Sequence, residues 1–259
     1  MKVLARPGVV VGLSLWAIAA VVWFLQPAAP PHAVARAVPV PAATSNPYWA
    51  GYIATGLAPY TAIRASWTVP AVSCQGAAVA DSTAYAWIGE GGYLQGLASP
   101  LIQAGTASSC LAGVPQYDAF YEWYPGIYAT DFPIVVRPGD SLTIRIEEAQ
   151  PDYWLLSVLD SATGQRSTTA TFYHTDTGSA DFVVERPALC ASTCDQVPLA
   201  RFGAITFSQI QTRDARGVTH EGVQGAMPIA LADPATENVL ALPGRAAKGT
   251  LAVLWRRDY

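Results

Sequence analysis

Ser141-Leu-Thr-Ile-Arg-Ile-Glu147 alternates without a break: Leu142, Ile144 and Ile146 point one way, Thr143 and Arg145 the other. A period of two is the geometry of a strand, because successive side chains leave opposite faces of an extended backbone. Pro138-Gly139-Asp140 turns the chain into it. The same reading, carried outward, predicts strands at Ala65–Val69, Ala84–Gly89, Trp154–Asp160, Thr168–Tyr173, Ile205–Ile210 and Thr250–Trp255. Asp160-Ser-Ala-Thr-Gly-Gln165 predicts a hairpin turn between two of them. Many short strands with almost no helical stretch predict an all-β sandwich or barrel. No repeat and no boundary interrupts the chain after residue 45, so 48–259 reads as one domain.

Composition narrows the function. Apolar residues make up 51% and charged residues 13%, the balance of a core-rich globule rather than a disordered chain. The net charge of −4, with no basic stripe, excludes nucleic acid as a partner. Lys2 and Arg6 precede an uncharged run from Gly8 to Leu25, and Ala35-Arg36-Ala37 offers a small-x-small cleavage site. Residues 1–37 therefore read as a cleaved signal peptide or, through 8–25, a retained membrane anchor. Either places the folded part outside the cytoplasm. Residues 38–47, in an Ala-, Pro- and Val-rich stretch, read as a linker or short propeptide. Without 1–37 the chain has 12 basic against 19 acidic residues, a net −7 that suits tolerance of low pH.

All four cysteines, Cys74, Cys110, Cys190 and Cys194, fall in the exported part, and an even count suits an oxidising compartment. Cys190-Ala-Ser-Thr-Cys194 reads as a local staple, leaving Cys74–Cys110 as the second bridge. Zinc is disfavoured, because the spacing is not that of a zinc ribbon and His32, His174 and His220 lie near no cysteine pair. No metal or cofactor is expected.

Strand phase then gathers the polar residues. Leu101, Gln103 and Gly105 share a face; so do Asp181, Val183 and Glu185; so do Asp118, Phe120, Glu122 and Tyr124; so do Tyr85, Trp87 and Gly89. Behind each lies an apolar or small face suited to a core. A wet outer face is the ordinary reading of any one such strand. Four together predict a polar cleft walled by Trp87, Phe120 and Tyr124.

The order Trp49-Ala-Gly-Tyr52, Ala65-Ser-Trp-Thr-Val-Pro70, Ala86-Trp-Ile-Gly89, Leu101-Ile-Gln-Ala-Gly105, Asp118-Ala-Phe-Tyr-Glu-Trp-Tyr124, Pro138-Gly-Asp140, Thr163-Gly-Gln165 and Ala180-Asp-Phe-Val-Val-Glu185 resembles the glutamic peptidases, or eqolisins. The resemblance covers roughly 48–210. It implies a β-sandwich of two long, bent antiparallel sheets and an acid-acting, monomeric endopeptidase for polypeptide substrates. It also implies a catalytic dyad, with Gln103 as the glutamine and Glu185, rather than Asp181, as the glutamate. Trp87, Glu122 and Tyr124 fall on cleft positions. Ala107, Phe120 and Gly91 depart from fungal members that carry aspartate, tryptophan and aspartate there, which bears on subsite shape and on the acidity of the site.

The dyad is chemically coherent. An ionised Glu185 takes a proton from a water attacking the scissile carbonyl and returns it to the leaving amine. The amide of Gln103 donates to the oxyanion and holds the water with its oxygen. Asp181 and Glu122 act on Glu185 as like charges, and Tyr124 adds a hydroxyl donor. Asp176-Thr-Gly178 matches the aspartic-peptidase tripeptide, but it occurs once, lacks the apolar strand before it and reads as a turn. His220-Glu221 lacks the second histidine of a zinc motif and reads as loop. Two other functions fit the same faces: a carbohydrate-active or carbohydrate-binding sandwich using Glu122 and Glu185, and an inactive peptidase-like surface protein.

Overall fold

The computed structural model describes residues 43–56, 58–93, 100–190, 194–223, 225–247 and 249–258. All belong to one unit, Val38–Tyr259. The signal or anchor expected at 1–37, and the linker as far as residue 42, lie outside the described residues.

In chain order the strands are β1 (Thr44–Asn46), β2 (Trp49–Thr55), β3 (Tyr60–Thr68), β4 (Ser82–Gly91), β5 (Leu101–Leu111) and β6 (Val114–Tyr124). Next come β7 (Ile127–Asp131), β8 (Ser141–Gln150), β9 (Tyr153–Asp160), β10 (Arg166–Phe172), β11 (Ser179–Glu185) and β12 (Ala188–Cys190). The last are β13 (Cys194–Gln196), β14 (Ala204–Asp214), β15 (Thr219–Glu221), β16 (Met227–Ala232), β17 (Val239–Pro243) and β18 (Thr250–Trp255). A single 3₁₀ turn, Ala77–Val79, is the helical content of the described residues. None of them forms a helix long and apolar enough to cross a membrane.

Hydrogen bonding runs unbroken through β10-β9-β8-β3-β14-β18-β17-β16-β2-β11-β4-β5-β6-β7. The two layers of the sandwich are thus the halves of one folded sheet, joined through β18, β17 and β16. Pairing along that path is antiparallel; β1 lies parallel beside β16. The alternation along Ser141–Glu147 explains the core. Leu142, Ile144 and Ile146 of β8 and Ile63, Ala65 and Trp67 of β3 share one buried cluster with Ala84, Ala86 and Ile88 of β4 and Ala180, Phe182 and Val184 of β11. Burying such side chains is worth roughly 1.5–3 kcal/mol each for the larger ones. The Trp67 indole donates to Thr106 of β5 at 3.0 Å, which bridges the layers and satisfies a polar group in the core.

Cys74 and Cys110 are bonded, their α-carbons 5.5 Å apart, tying the segment before β4 to the end of β5. Cys190 and Cys194 pair by backbone across β12 and β13, while their side chains lie outside the described residues. The Cys74–Cys110 bridge closes a loop with a sequence separation of 36. A Cys74→Ser/Cys110→Ser variant should lose about 3–4 kcal/mol of stability on the loop-entropy model. Thermal melts should place it roughly 10 °C below wild type.

One sequence expectation changes here. His220-Glu221 is not loop: both residues belong to β15, which pairs with β14 through Thr212↔His220 and Gln211↔Glu221. Asp214 makes that hairpin, its carboxylate accepting from the backbone of Arg216 and Val218. Asp176-Thr-Gly178 is irregular backbone, with Gly178 N donating to Asp176 Oδ1 at 2.9 Å.

Candidate active site

Directly paired residues in an antiparallel sheet put their side chains on the same face. Glu185 pairs with Tyr85, Val183 with Trp87 and Asp181 with Gly89. On the next strand Trp87 faces Gly105, Gly89 faces Gln103 and Tyr85 faces Ala107. Beyond it Gln103 faces Glu122, Gly105 faces Phe120, Ala107 faces Asp118 and Leu101 faces Tyr124. All eight candidates, Gln103, Glu185, Trp87, Phe120, Glu122, Tyr124, Asp118 and Asp181, therefore stand on the sheet face turned away from the sandwich core. That face has its own apolar floor of Ile53, Trp87, Leu101, Phe120, Val183 and Ile229. Trp87 and Phe120 are fully buried in this floor rather than standing as walls, while Tyr124, 43% exposed, remains open. Gly105 permits the close packing, since a Cβ there would sit 2.6 Å from that of Trp87.

The register leaves one strand, β4, between those of Gln103 and Glu185, hence two inter-strand spacings, and the four-residue step from Gly89 to Tyr85 along β4. That is roughly 10 Å across and 13 Å along between α-carbons. Glu122, which accepts from Gln103 Nε2 at 2.8 Å, is among the groups that push the Glu185 pKa up.

Glu185 lies partly buried against two indoles. Trp87 Nε1 donates to its Oε2 at 2.7 Å, and Trp49 packs edge-on against Trp87 with ring centroids 5.1 Å apart. Burial dominates its titration and pushes its pKa up to about 8, against the indole hydrogen bonds that pull it down. This differs from the ionised carboxylate expected of sequence: below neutral pH Glu185 carries a proton. Its backbone is pinned from the next residue. Arg186 is fully buried, ion-paired to Asp233 at 3.2 Å, and donates to Pro47 O and to Gln196.

Gln103 is 5% exposed; its Nε2 is committed to Glu122 and its Oε1 is buried without a hydrogen bond. Glu122 is raised by burial, against the hydrogen bond from Gln103. Asp181 is fully buried, and burial holds its carboxyl well above the usual range against the pull of the Ser179 hydroxyl, beneath the cleft rather than in it. Asp118 is raised by burial and by Asp131.

Two residues of this face were not singled out from sequence. The Tyr85 hydroxyl is pushed up to about 12, by burial first and then by Glu185, Glu122, Asp131 and Asp118, which places it among the carboxylates. Its phase with Trp87 was readable; its centrality was not, because that depends on three neighbouring strands. Trp49 reaches the site only through the pairing of β2 with β11, Trp49↔Glu185. The glycine at 91 also has a local reason. Its φ is +80°, and a Cβ there would meet Pro100 O at 2.3 Å, so an aspartate has no room. Among the described residues no group of His, Cys, Asp and Glu is arranged to hold a metal.

Comparison with known proteins follows this geometry. Residues 47–242 match the model of the peptidase A4 family. The chain is 30% identical to aspergillopepsin-2 of Aspergillus niger over 185 residues, 63% of each chain. It is 28% identical to scytalidopepsin B of Scytalidium lignicola over 200 residues, 73% of this chain and 72% of that one. The chain thus spans a little under two thirds of aspergillopepsin-2. In structure it is similar to scytalido-glutamic peptidase solved with a peptide-based transition-state analogue. That match has a TM-score of 0.68 at 23% identity and covers 82% of this chain and 99% of the other.

Proposed function

Since the chain belongs to the peptidase A4 family, the glutamic peptidases, we propose that it is an acid-acting endopeptidase working outside the cytoplasm, with Glu185 and Gln103 as its catalytic pair. The observation that carries this reading is a carboxyl held by an indole at 2.7 Å on the same sheet face as a buried amide whose oxygen has no partner. The Cys74–Cys110 bridge supports an oxidising compartment. The complex of scytalido-glutamic peptidase with a peptide-based analogue supports a polypeptide substrate.

A protonated carboxyl is bifunctional. As water adds to the scissile carbonyl carbon, one Glu185 oxygen accepts the water proton while the other gives its own proton to the carbonyl oxygen. The product is a neutral gem-diol, and Glu185 is again protonated. In the second step the leaving nitrogen takes the Glu185 proton as the C–N bond breaks, and a diol hydroxyl returns one, leaving acid and amine. Trp87 fixes which oxygen faces the substrate by holding Oε2. Gln103 supplies the uncharged polar group at the developing oxyanion.

The test is cleavage of denatured haemoglobin by the purified, folded protein across about pH 2–7, the range in which carboxylates titrate. Cleavage should occur at acid pH and survive pepstatin. Gln103→Ala should lower kcat/KM by about 10²–10³, the usual cost of one oxyanion donor. A folded sample that cuts nothing anywhere in the range would end the proposal.

A further inference from the structure

Gln103 and Glu122 face each other directly across β5 and β6, and only one end of the amide is satisfied. The two ends of a glutamine side chain are almost the same shape, so the charge of the partner decides which end turns toward it. An ionised Glu122 is acceptor-only and demands the NH₂, which is the arrangement seen, with Oε1 left buried and unpaired. A neutral Glu122 has a hydroxyl to donate. It satisfies Oε1 when the amide turns over, and the NH₂ then takes the buried position where Oε1 has no partner, free for a group that enters there.

We propose that Glu122 is the positioning residue of Gln103, its protonation selecting the end of the amide that meets the bound peptide. The inference rests on the reading of Gln103 and Glu185 as the catalytic pair. The productive arrangement is the neutral one, because an oxyanion needs donors and only then are both N–H groups of the amide turned away from Glu122. No cation stands among the groups named around Glu122 to hold it ionised. Gln103 of β5 is uncharged; Tyr85 of β4 and Glu185 of β11 share its face; Asp131 of β7 and Asp118 of its own strand lie along the same cleft. No ion pair among the described residues includes Glu122. Burial raises its pKa against the pull of the hydrogen bond from Gln103, and so favours the neutral carboxyl.

The experiment uses the full chain labelled with ¹⁵N-glutamine. The side-chain signals of Gln103 are identified by their absence from Gln103→Glu. In wild type they should move in one step, at the same pH at which a ¹³C-labelled Glu122 carboxyl titrates. In Glu122→Gln that step should vanish. The fall of wild-type kcat/KM with rising pH should move upward by at least about one pH unit in Glu122→Gln, since the new amide can donate at any pH. A Gln103 signal that ignores Glu122 titration in wild type overturns the proposal, whether or not the variant folds. An unmoved pH profile in a folded, active variant overturns it as well. A wild type without peptidase activity at any pH sinks the catalytic reading instead, while the titration still reports on the amide.

Discussion

At pH 4 the Glu185→Gln variant should cleave peptides at least about 10³-fold more slowly than wild type, with no loss of melting temperature. General acid–base groups contribute typically 10²–10⁴, and the proposed mechanism uses Glu185 in both the addition and the collapse. Glutamine keeps the shape and still accepts from Trp87 Nε1, so the two indoles stay in place. What it lacks is an exchangeable proton on one oxygen with a free acceptor on the other. The pair of measurements is kcat/KM on a quenched fluorogenic peptide and a thermal melt of the same sample. Residual activity within tenfold of wild type would remove Glu185 from the chemistry.

The fold should be most stable in acid, near pH 4, and should weaken as pH rises toward 8. Three buried carboxyls set this. Glu90 and Asp181 are fully buried and are pushed well above the ordinary range by burial. Glu148 and Asp176 add like charge to Glu90, and Asp176 adds it to Asp181. Glu185 rises to about 8. The unfolded chain ionises all three near pH 4. Below that pH both states are protonated and the folded state keeps the full contribution. Above it the unfolded chain sheds protons that the folded protein holds, and stability falls until the folded groups titrate.

At ~1.4 kcal/mol per unit, Glu185 alone removes about 3 kcal/mol between pH 4 and 7, or roughly 10 °C in Tm. The opposite limb belongs to Asp214, lowered to about 2 chiefly by Arg216, and to Asp160 and Asp233, both lowered by hydrogen bonds. Their contribution is lost as pH falls through their folded values. Melts at pH 4 and 7 read the first limb, and Glu90→Gln with Asp181→Asn should flatten it. A Tm that rises steadily from pH 4 to 7 would contradict the account.

How much of this was readable differs from strand to strand. β8 was legible because the alternation of Leu142, Ile144 and Ile146 is a local property of seven residues. The site face was legible for the same reason: the phase of Gln103, Glu122 and Glu185 within their own strands already placed an apolar face behind each. β16 and β17, Met227–Ala232 and Val239–Pro243, were missed because they are buried, apolar on both faces and so without period two. β15 was missed because three residues carry no pattern, and only its partner β14 makes His220 and Glu221 a strand.

Sequence alone therefore determined the class of fold and which side chains face away from the core, since strand phase depends on nothing beyond the strand. It did not determine the protonation of Glu185, the commitment of Gln103 Nε2 to Glu122, or the burial of Trp87 and Asp181 beneath the cleft. Those follow from which strands lie side by side, and from the apolar residues that neighbouring strands bring around each group. Such neighbours come from far along the chain, as with Trp49 and Glu185, and a carboxyl's affinity for its proton is set by them.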